Sequence, residues 1–276
     1  MEPTGIIPLR RGGLGNQLFT VIAGYITSKV NTVPLYIFDM HCSSHQTTTS
    51  DYKNTIFSKI GIHISTHQDK VETPRFFVDG FSAWNPTMVP KGRFMDSYFQ
   101  YYPAILPYED DVRALLVEGL SKERALVSHY TLGKDVAFLH VRRGDYMGVS
   151  HIHYVQTIDY YSRAVELIDA KSIIVVSDDI DWVREQELFK GERFIIVDGV
   201  NELETLALMS LCKSAVCSNS TFSWWGAFLG AHGCRGKVIV PERWINTQIF
   251  NTEHWPLSPR GVKVPPLFPE EWIILP

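Results

Sequence analysis

Short apolar runs alternating with helical stretches, and glycine- or arginine-rich loops at the ends of two of those runs, predict an α/β chain of two doubly wound, Rossmann-like halves. Gly5 to Leu9 is an apolar run that ends in Arg10-Arg11-Gly-Gly-Leu-Gly-Asn-Gln-Leu-Phe19, after which Thr20 to Val30 carries a helical pattern. Val136 to Val141 reads as a buried strand and breaks at once into Arg142-Arg143-Gly144-Asp145. Both places read as strand, binding loop, helix. The expected division is a first half over residues 1–130 and a second over 131–276.

In the first half, Val33 to Phe38 reads as a second strand, followed by a Ser/Thr/His-rich loop from Cys42 to Asp51. His41 and His45 sit four apart, a metal-binding spacing on a helix, but their neighbours argue for loop. Residues 70 to 108 interleave aromatics with Pro and Gly, a composition that suits either stacking on sugar rings or ordinary core packing. Arg113 to Val127 reads as the helix leading out of this half. In the second half, strands at Val136–Val141, Ser172–Val176, Phe194–Val197, Ala215–Ser218 and Val238–Val240 alternate with helices. These are expected at Asp159–Ile168, Trp182–Phe189, Glu202–Cys212 and Phe222–Ala231. Short connections between alternating elements imply a parallel sheet.

The 276 residues, 45% of them hydrophobic, suffice for two domains with real cores. No run approaches the roughly 20 apolar residues that span a bilayer, and the N-terminus lacks a signal pattern, so a soluble cytoplasmic protein without a membrane anchor is expected. A net charge of −4 argues against a nucleic-acid binder and requires any anionic ligand to be held by a local cluster. The four cysteines, Cys42, Cys212, Cys217 and Cys234, show neither zinc spacing nor disulfide density. Asn219-Ser-Thr is a glycosylation sequon inside an expected functional loop, where a glycan would intrude.

Three strand ends of the second half carry polar residues. They are Arg142, Arg143 and Asp145; Ser177, Asp178 and Asp179; and Ser218, Asn219, Ser220 and Thr221, which precede Phe222. In a parallel sheet these ends share one edge, so a single ligand reaches all three. Paired guanidiniums suit a diphosphate, and hydroxyls and N–H groups at a helix start add to it. A carboxylate there can accept from a ribose or a guanine. Asp179 and Asp181 also form an Asp-x-Asp pair able to hold a divalent ion, but they serve equally as helix caps. Arg143-Gly144-Asp145 spells an adhesion tripeptide, at the end of a buried strand where adhesion is a poor fit. In Gly12, Gly13 and Gly15 the first half offers close backbone approach, although the spacing fits neither a Walker loop nor a dinucleotide fingerprint. Trp224 and Trp225 are expected to pack their helix on the sheet.

Four motifs occur together and in order: Gly12 to Phe19, His140-Val-Arg-Arg-Gly-Asp-Tyr146, Ser177-Asp-Asp179 with Trp182, and Ser218 to Gly226. They resemble the signatures of the α-1,2-fucosyltransferase family, over residues 10 to about 245. The resemblance implies a GT-B fold with the active site between two Rossmann-like domains, GDP-fucose as donor, and inverting transfer without a metal or other cofactor. A galactose-type hydroxyl is the implied acceptor, on an oligosaccharide or glycan. It implies that Arg142 and Asp145 are essential and that Asn16 lies near the reacting centre. Donor contacts are then expected from Gly13, Gly15, His140, Arg143, Ser177, Asp178, Asp179, Asn219, Ser220, Thr221 and Phe222. Golgi members of the family carry an anchor, so a bacterial or virus-encoded enzyme, or a trimmed Golgi enzyme, fits better. The competing readings are a non-catalytic sugar- or nucleotide-binding module of the same fold and a protein O-fucosyltransferase-like enzyme.

Overall fold

The computed structural model describes residues 5–38, 52–64, 75–131 and 135–276. His41, Cys42 and His45 lie outside them. The chain forms two compact units, 1–120 and 121–276, whereas the sequence reading drew the division at 130/131.

In the first unit, β1 (Ile7–Pro8), α1 (Leu14–Asn31), β2 (Tyr36–Phe38), β3 (Ile62–Ile64), β4 (Arg75–Phe77) and β5 (Phe94–Asp96) precede α2 (Tyr102–Ile105) and α3 (Glu109–Gly119). Among the described residues of this unit every pairing is parallel: β1 and β4 flank β5, and β2 pairs with β3. An Ile6–Leu35 bridge lays β2 beside β1, so the strand order is β3-β2-β1-β5-β4. The strand expected from Val33 shortens to Tyr36 because Pro34, which lacks an N–H, contributes only its carbonyl, accepting from Ile6 N at 2.8 Å. Of the interleaved aromatics, Phe81, Trp84, Phe94, Phe99 and Tyr102 are core, whereas Phe77 and Tyr98 stay exposed.

The second unit opens with α4 (Ser121–Val127), which belongs here because Arg124 donates to the carbonyl of Ser210 at 2.9 Å. Then come β6 (Val136–Val141), α5 (Ile158–Glu166), β7 (Ser172–Ser177), α6 (Ile180–Glu185), β8 (Phe194–Ile196), α7 (Glu202–Met209), β9 (Ser214–Val216), α8 (Thr221–Ala227), β10 (Val238–Pro241) and β11 (Ile273–Leu275). The sheet is parallel throughout, in the order β8-β7-β6-β9-β10-β11. Strand β6 at its centre is buried at every residue, which is why it reads as an unbroken apolar run. Its register, Val141 opposite Ser177, brings the ends of β6 and β7 level. Helix α8 continues into a π-turn at Phe228–His232. A Cβ on Gly230 would come within 2.7 Å of the Met209 carbonyl oxygen, so glycine lets this turn pass directly over the end of α7. Trp224 and Trp225 are fully buried, and Trp224 Nε1 donates to the Leu267 carbonyl at 2.9 Å. Packing is therefore their role. Cys212 and Cys217 are buried free thiols and Cys234 is an exposed one. No helix among the described residues is long and apolar enough to cross a membrane.

Candidate active site

Renumbered by position in the second unit, β6 to β11 run 3-2-1-4-5-6 across the sheet. The chain leaves β6 in one direction towards β7 and β8 and returns on its other side with β9. The switch point between β6 and β9, at the carboxyl ends of the strands, is where the rule for open α/β sheets places a ligand crevice. The loops that leave these two strands are Arg142–Asp145 and Ser218–Thr221.

Arg142 is gripped on both terminal nitrogens, Nη2 by Asp145 Oδ1 at 2.6 Å and Nη1 by Asp178 Oδ2 at 3.0 Å. Its carbon centre lies 5.2 Å from the centre of the Tyr146 ring, and its Nε is buried without a hydrogen-bond partner. Arg143 donates from Nε to Asp179 Oδ2 at 3.1 Å, and its guanidinium carbon lies over Trp182, 4.2 Å from the ring centre. Its backbone N–H donates to Asp178 Oδ1 at 2.9 Å. Gly144 makes this closeness possible, since a Cβ there would sit 2.4 Å from Asp178 Oδ2. The adhesion tripeptide thus has an internal reason for each member.

The cluster holds two guanidiniums and three carboxylates, so it carries no surplus of positive charge as it stands. The carboxylates are themselves committed: Asp179 caps α6 by accepting from Trp182 N at 3.1 Å, while Ser177 Oγ accepts from Asp179 N at 2.9 Å. Asp181, the other half of the Asp-x-Asp pair, points to solvent and pairs with Arg184 at 3.5 Å. The cap reading accounts for Asp179. Among the described residues, no group of three or more His, Cys, Asp or Glu side chains converges as metal ligands would.

Across the crevice, several of the residues expected as ligand contacts are engaged within the protein. His140 is buried, and Ser218 Oγ lies 3.0 Å from its Nδ1. Burial, followed by the charge of Arg142, holds its pKa down to about 3, so the imidazole is neutral and ties β6 to the loop after β9. Asn219 is also buried. Its amide donates to the carbonyls of Tyr154 at 2.8 Å and Trp244 at 2.9 Å, and its oxygen accepts from Gln156 Nε2 at 3.2 Å. Both hydrogens of its amide nitrogen are thereby spent on the protein's own carbonyls, which leaves no free N–H for a glycan. Ser220 caps α8, accepting from Phe222 N at 3.3 Å, and the Phe222 ring meets His140 edge-on at 5.8 Å. Thr221 begins α8 half-buried.

Sequence reasoning passed over Tyr146, whose hydroxyl donates to the Asn219 carbonyl at 3.1 Å and joins the two loops directly. Its pKa is pushed up to about 12, chiefly by burial. His153 stacks on it at 4.3 Å, and its own pKa is lowered, chiefly by burial. Only the place of Tyr146, next to Asp145, offered a signal. His153 and Gln156 sit in an irregular segment with no periodic pattern.

The first unit has its own switch point, between β1 and β5. Gly12, at φ +67°, turns the chain, and Gly13 stands as the N-terminal cap of α1 with open space where a side chain would be. Gly15 is buried in the first turn of α1. Asn16 Oδ1 accepts from Gln100 Nε2 at 3.0 Å. Asp96, at the end of β5, is bracketed by Arg11 at 2.9 Å and Arg75 at 2.8 Å.

Comparison with known proteins agrees with this architecture. The chain is 27% identical to the O-antigen biosynthesis glycosyltransferase WbnK of Escherichia coli, over 84% of this chain and 92% of that one. It is 23% identical to an alpha-1,2-colitosyltransferase of Escherichia coli, over 87% and 92% of the two chains. The crystal structure of the fucosyltransferase NodZ from Bradyrhizobium superposes with a TM-score of 0.50 at 12% identity, covering 83% of this chain and 94% of that one. The fold is thus of the GT-B type that such transferases use. The profile of glycosyl transferase family 11 matches residues 82–255, a span that includes every loop of the β6/β9 crevice. The chain belongs to glycosyl transferase family 11.

Proposed function

We propose that this protein transfers L-fucose from GDP-fucose to O2 of a galactose-type residue on a glycan acceptor, with inversion and without a metal ion. The observation that carries the reading is the arginine pair of β6 at the switch point, tied through Tyr146 to the loop that starts α8, in a member of a glycosyl transferase family. Breaking the bond between fucose C1 and the phosphate oxygen leaves its electron pair on GDP, while the acceptor oxygen bonds to C1 from the opposite face. Groups that bind the departing charge more tightly than the intact donor lower the barrier. Arg142 is pre-set for this by its two carboxylate anchors. As charge develops on the diphosphate, it takes the place of Asp145 on Arg142, because Asp145 is the more exposed of the two anchors. Asp145, released and half-exposed, is then available to accept the acceptor proton, or it serves only to aim Arg142.

Metal independence is supported by the pairing of Asp145, Asp178 and Asp179 with arginines, since a cation would have to displace those guanidiniums. The likeness to a colitosyltransferase favours a second reading, in which the donor sugar is another deoxyhexose. The experiment is GDP release from GDP-fucose, and from the corresponding colitosyl donor, with a panel of galactosides and EDTA present. NMR of the product then gives linkage and anomeric configuration. Release from GDP-fucose with an α-1,2 product is the expected result. No release with any acceptor overturns the transfer reading, and activity restored only by a divalent ion overturns metal independence.

A further inference from the structure

Away from the arginine pair, a cavity of ≈ 490 Å³ opens at the carboxyl ends of β10 and β11, within the size range of small-molecule sites. Four cations line it, Arg163, Arg243, Arg260 and Lys263, against one acidic side chain, Glu242, and the Pro276 carbonyl oxygen, which also lines it, accepts from Arg163. That acid is engaged by Ser258 Oγ at 2.5 Å and stands 3.9 Å from Arg260. Arg163 is paired with Asp159 at 3.0 Å. The Lys263 ammonium is held by the carbonyls of Glu253 and Trp255, which place its charge without cancelling it. Arg243 meets no carboxylate among the described residues; its guanidinium lies over the Tyr154 ring at 5.8 Å, leaving its N–H edge open. A concave surface that gathers uncancelled positive charge attracts anions.

We infer that this cavity is a second anion site, taking a phosphate or diphosphate group, free or esterified, separate from the ligand of the β6/β9 crevice. Its chemistry is that of oxyanion recognition, in which Arg243 and Arg260 supply directional N–H pairs and Lys263 a point charge. The site is wired to the crevice. Gln156, in its wall, donates from one amide nitrogen both to the Arg243 carbonyl at 2.9 Å and to Asn219 Oδ1 at 3.2 Å. Asn219 in turn donates to the carbonyls of Tyr154 and Trp244. The same hydrogen bonds therefore shape the cavity wall and the loop that starts α8. The inference does not rest on the identity of the transferred sugar.

The test is titration calorimetry of the whole protein with inorganic pyrophosphate, run in the Arg142→Ala background so that binding at the crevice is suppressed. Adding Arg243→Glu and Arg260→Glu is expected to weaken pyrophosphate binding by at least about tenfold, the equivalent of one charge-assisted contact. Arg243→Lys with Arg260→Lys is expected to retain measurable binding, and circular dichroism confirms that each variant is folded. GDP affinity in the otherwise wild-type protein should change little on charge reversal. Absence of pyrophosphate binding in the Arg142→Ala protein, or equal binding after charge reversal, overturns the proposal. Transfer assays with phosphate-bearing and phosphatase-treated acceptors identify the source. A KM that rises only for the phosphate-bearing acceptor places the anion on the acceptor, and unchanged KM values alongside lost pyrophosphate binding assign the site to free phosphate.

Discussion

Gly144→Ala probes the arginine cluster with a single methyl group. The new Cβ would lie 2.4 Å from Asp178 Oδ2 and 3.1 Å from its Cγ, so the carboxylate must retreat by about 1 Å to reach ordinary van der Waals separation. From that position it can no longer hold both Arg143 N, now at 2.9 Å, and Arg142 Nη1, now at 3.0 Å. Hydrogen bonds to charged groups contribute roughly 1.5–3 kcal/mol each when buried. This cluster is partly exposed, which brings the expected loss of stability for both together down to about 1–3 kcal/mol. Arg142 would also lose one of its two anchors, so GDP affinity should fall by about tenfold for about 1.4 kcal/mol of lost preorganisation. The assay is urea unfolding and GDP titration of Gly144→Ala, Asp178→Ala and the double variant. If the clash with Asp178 is the cause, Gly144→Ala costs less once Asp178 has been removed, a coupling of about 1 kcal/mol or more. Additive effects, or an alanine at 144 that changes neither stability nor affinity, refute the reasoning.

His140 makes stability pH-dependent. Its pKa is held at about 3 in the fold, against about 6.5 in the unfolded chain, so below about pH 6.5 only the unfolded chain takes up the proton. Stability should fall by up to about 1.4 kcal/mol per pH unit from this group as pH drops from 6.5 towards 3; urea unfolding of wild type and His140→Gln between about pH 7 and 5 checks it, and equal slopes count against it. Asn219→Ala removes three hydrogen bonds inside the second unit and should cost about 3 kcal/mol; a loss of activity with unchanged unfolding would instead make Asn219 a ligand contact. Arg142→Ala should lower kcat/KM by about 10²–10³ while the protein stays folded, its two lost ion pairs costing about 1–2 kcal/mol of stability, and near-normal turnover removes Arg142 from the mechanism.

The sheet of the second unit was legible because Val136–Val141 and its neighbours are apolar runs with polar ends, and a parallel strand buried on both faces leaves just that trace. Strand β11 was not, since three residues after a proline-rich stretch carry no pattern until β10 pairs with them. At the site, the arginines and their carboxylates were legible as residue types but not as partners. Nothing in Arg142-Arg143-Gly144-Asp145 states that Asp178, 36 residues after Arg142, closes the grip, because that depends on the register of β6 with β7. For the same reason the internal hydrogen bonds of His140 and Asn219 were not legible. Polar residues beside a binding loop look alike in sequence whether they face the ligand or hold the loop, and only burial separates the two. The cavity at β10 and β11 left no motif, its cations coming from separate segments.

The central claim, that the β6/β9 crevice holds the nucleotide, is tested most directly by hydrogen exchange of the intact protein with and without GDP. Slowed exchange at residues 142–146, 177–179 and 218–222 is the predicted result. Protection that leaves these segments unchanged and appears only around residues 154–163 and 241–263 would contradict the assignment and move the nucleotide to the second cavity.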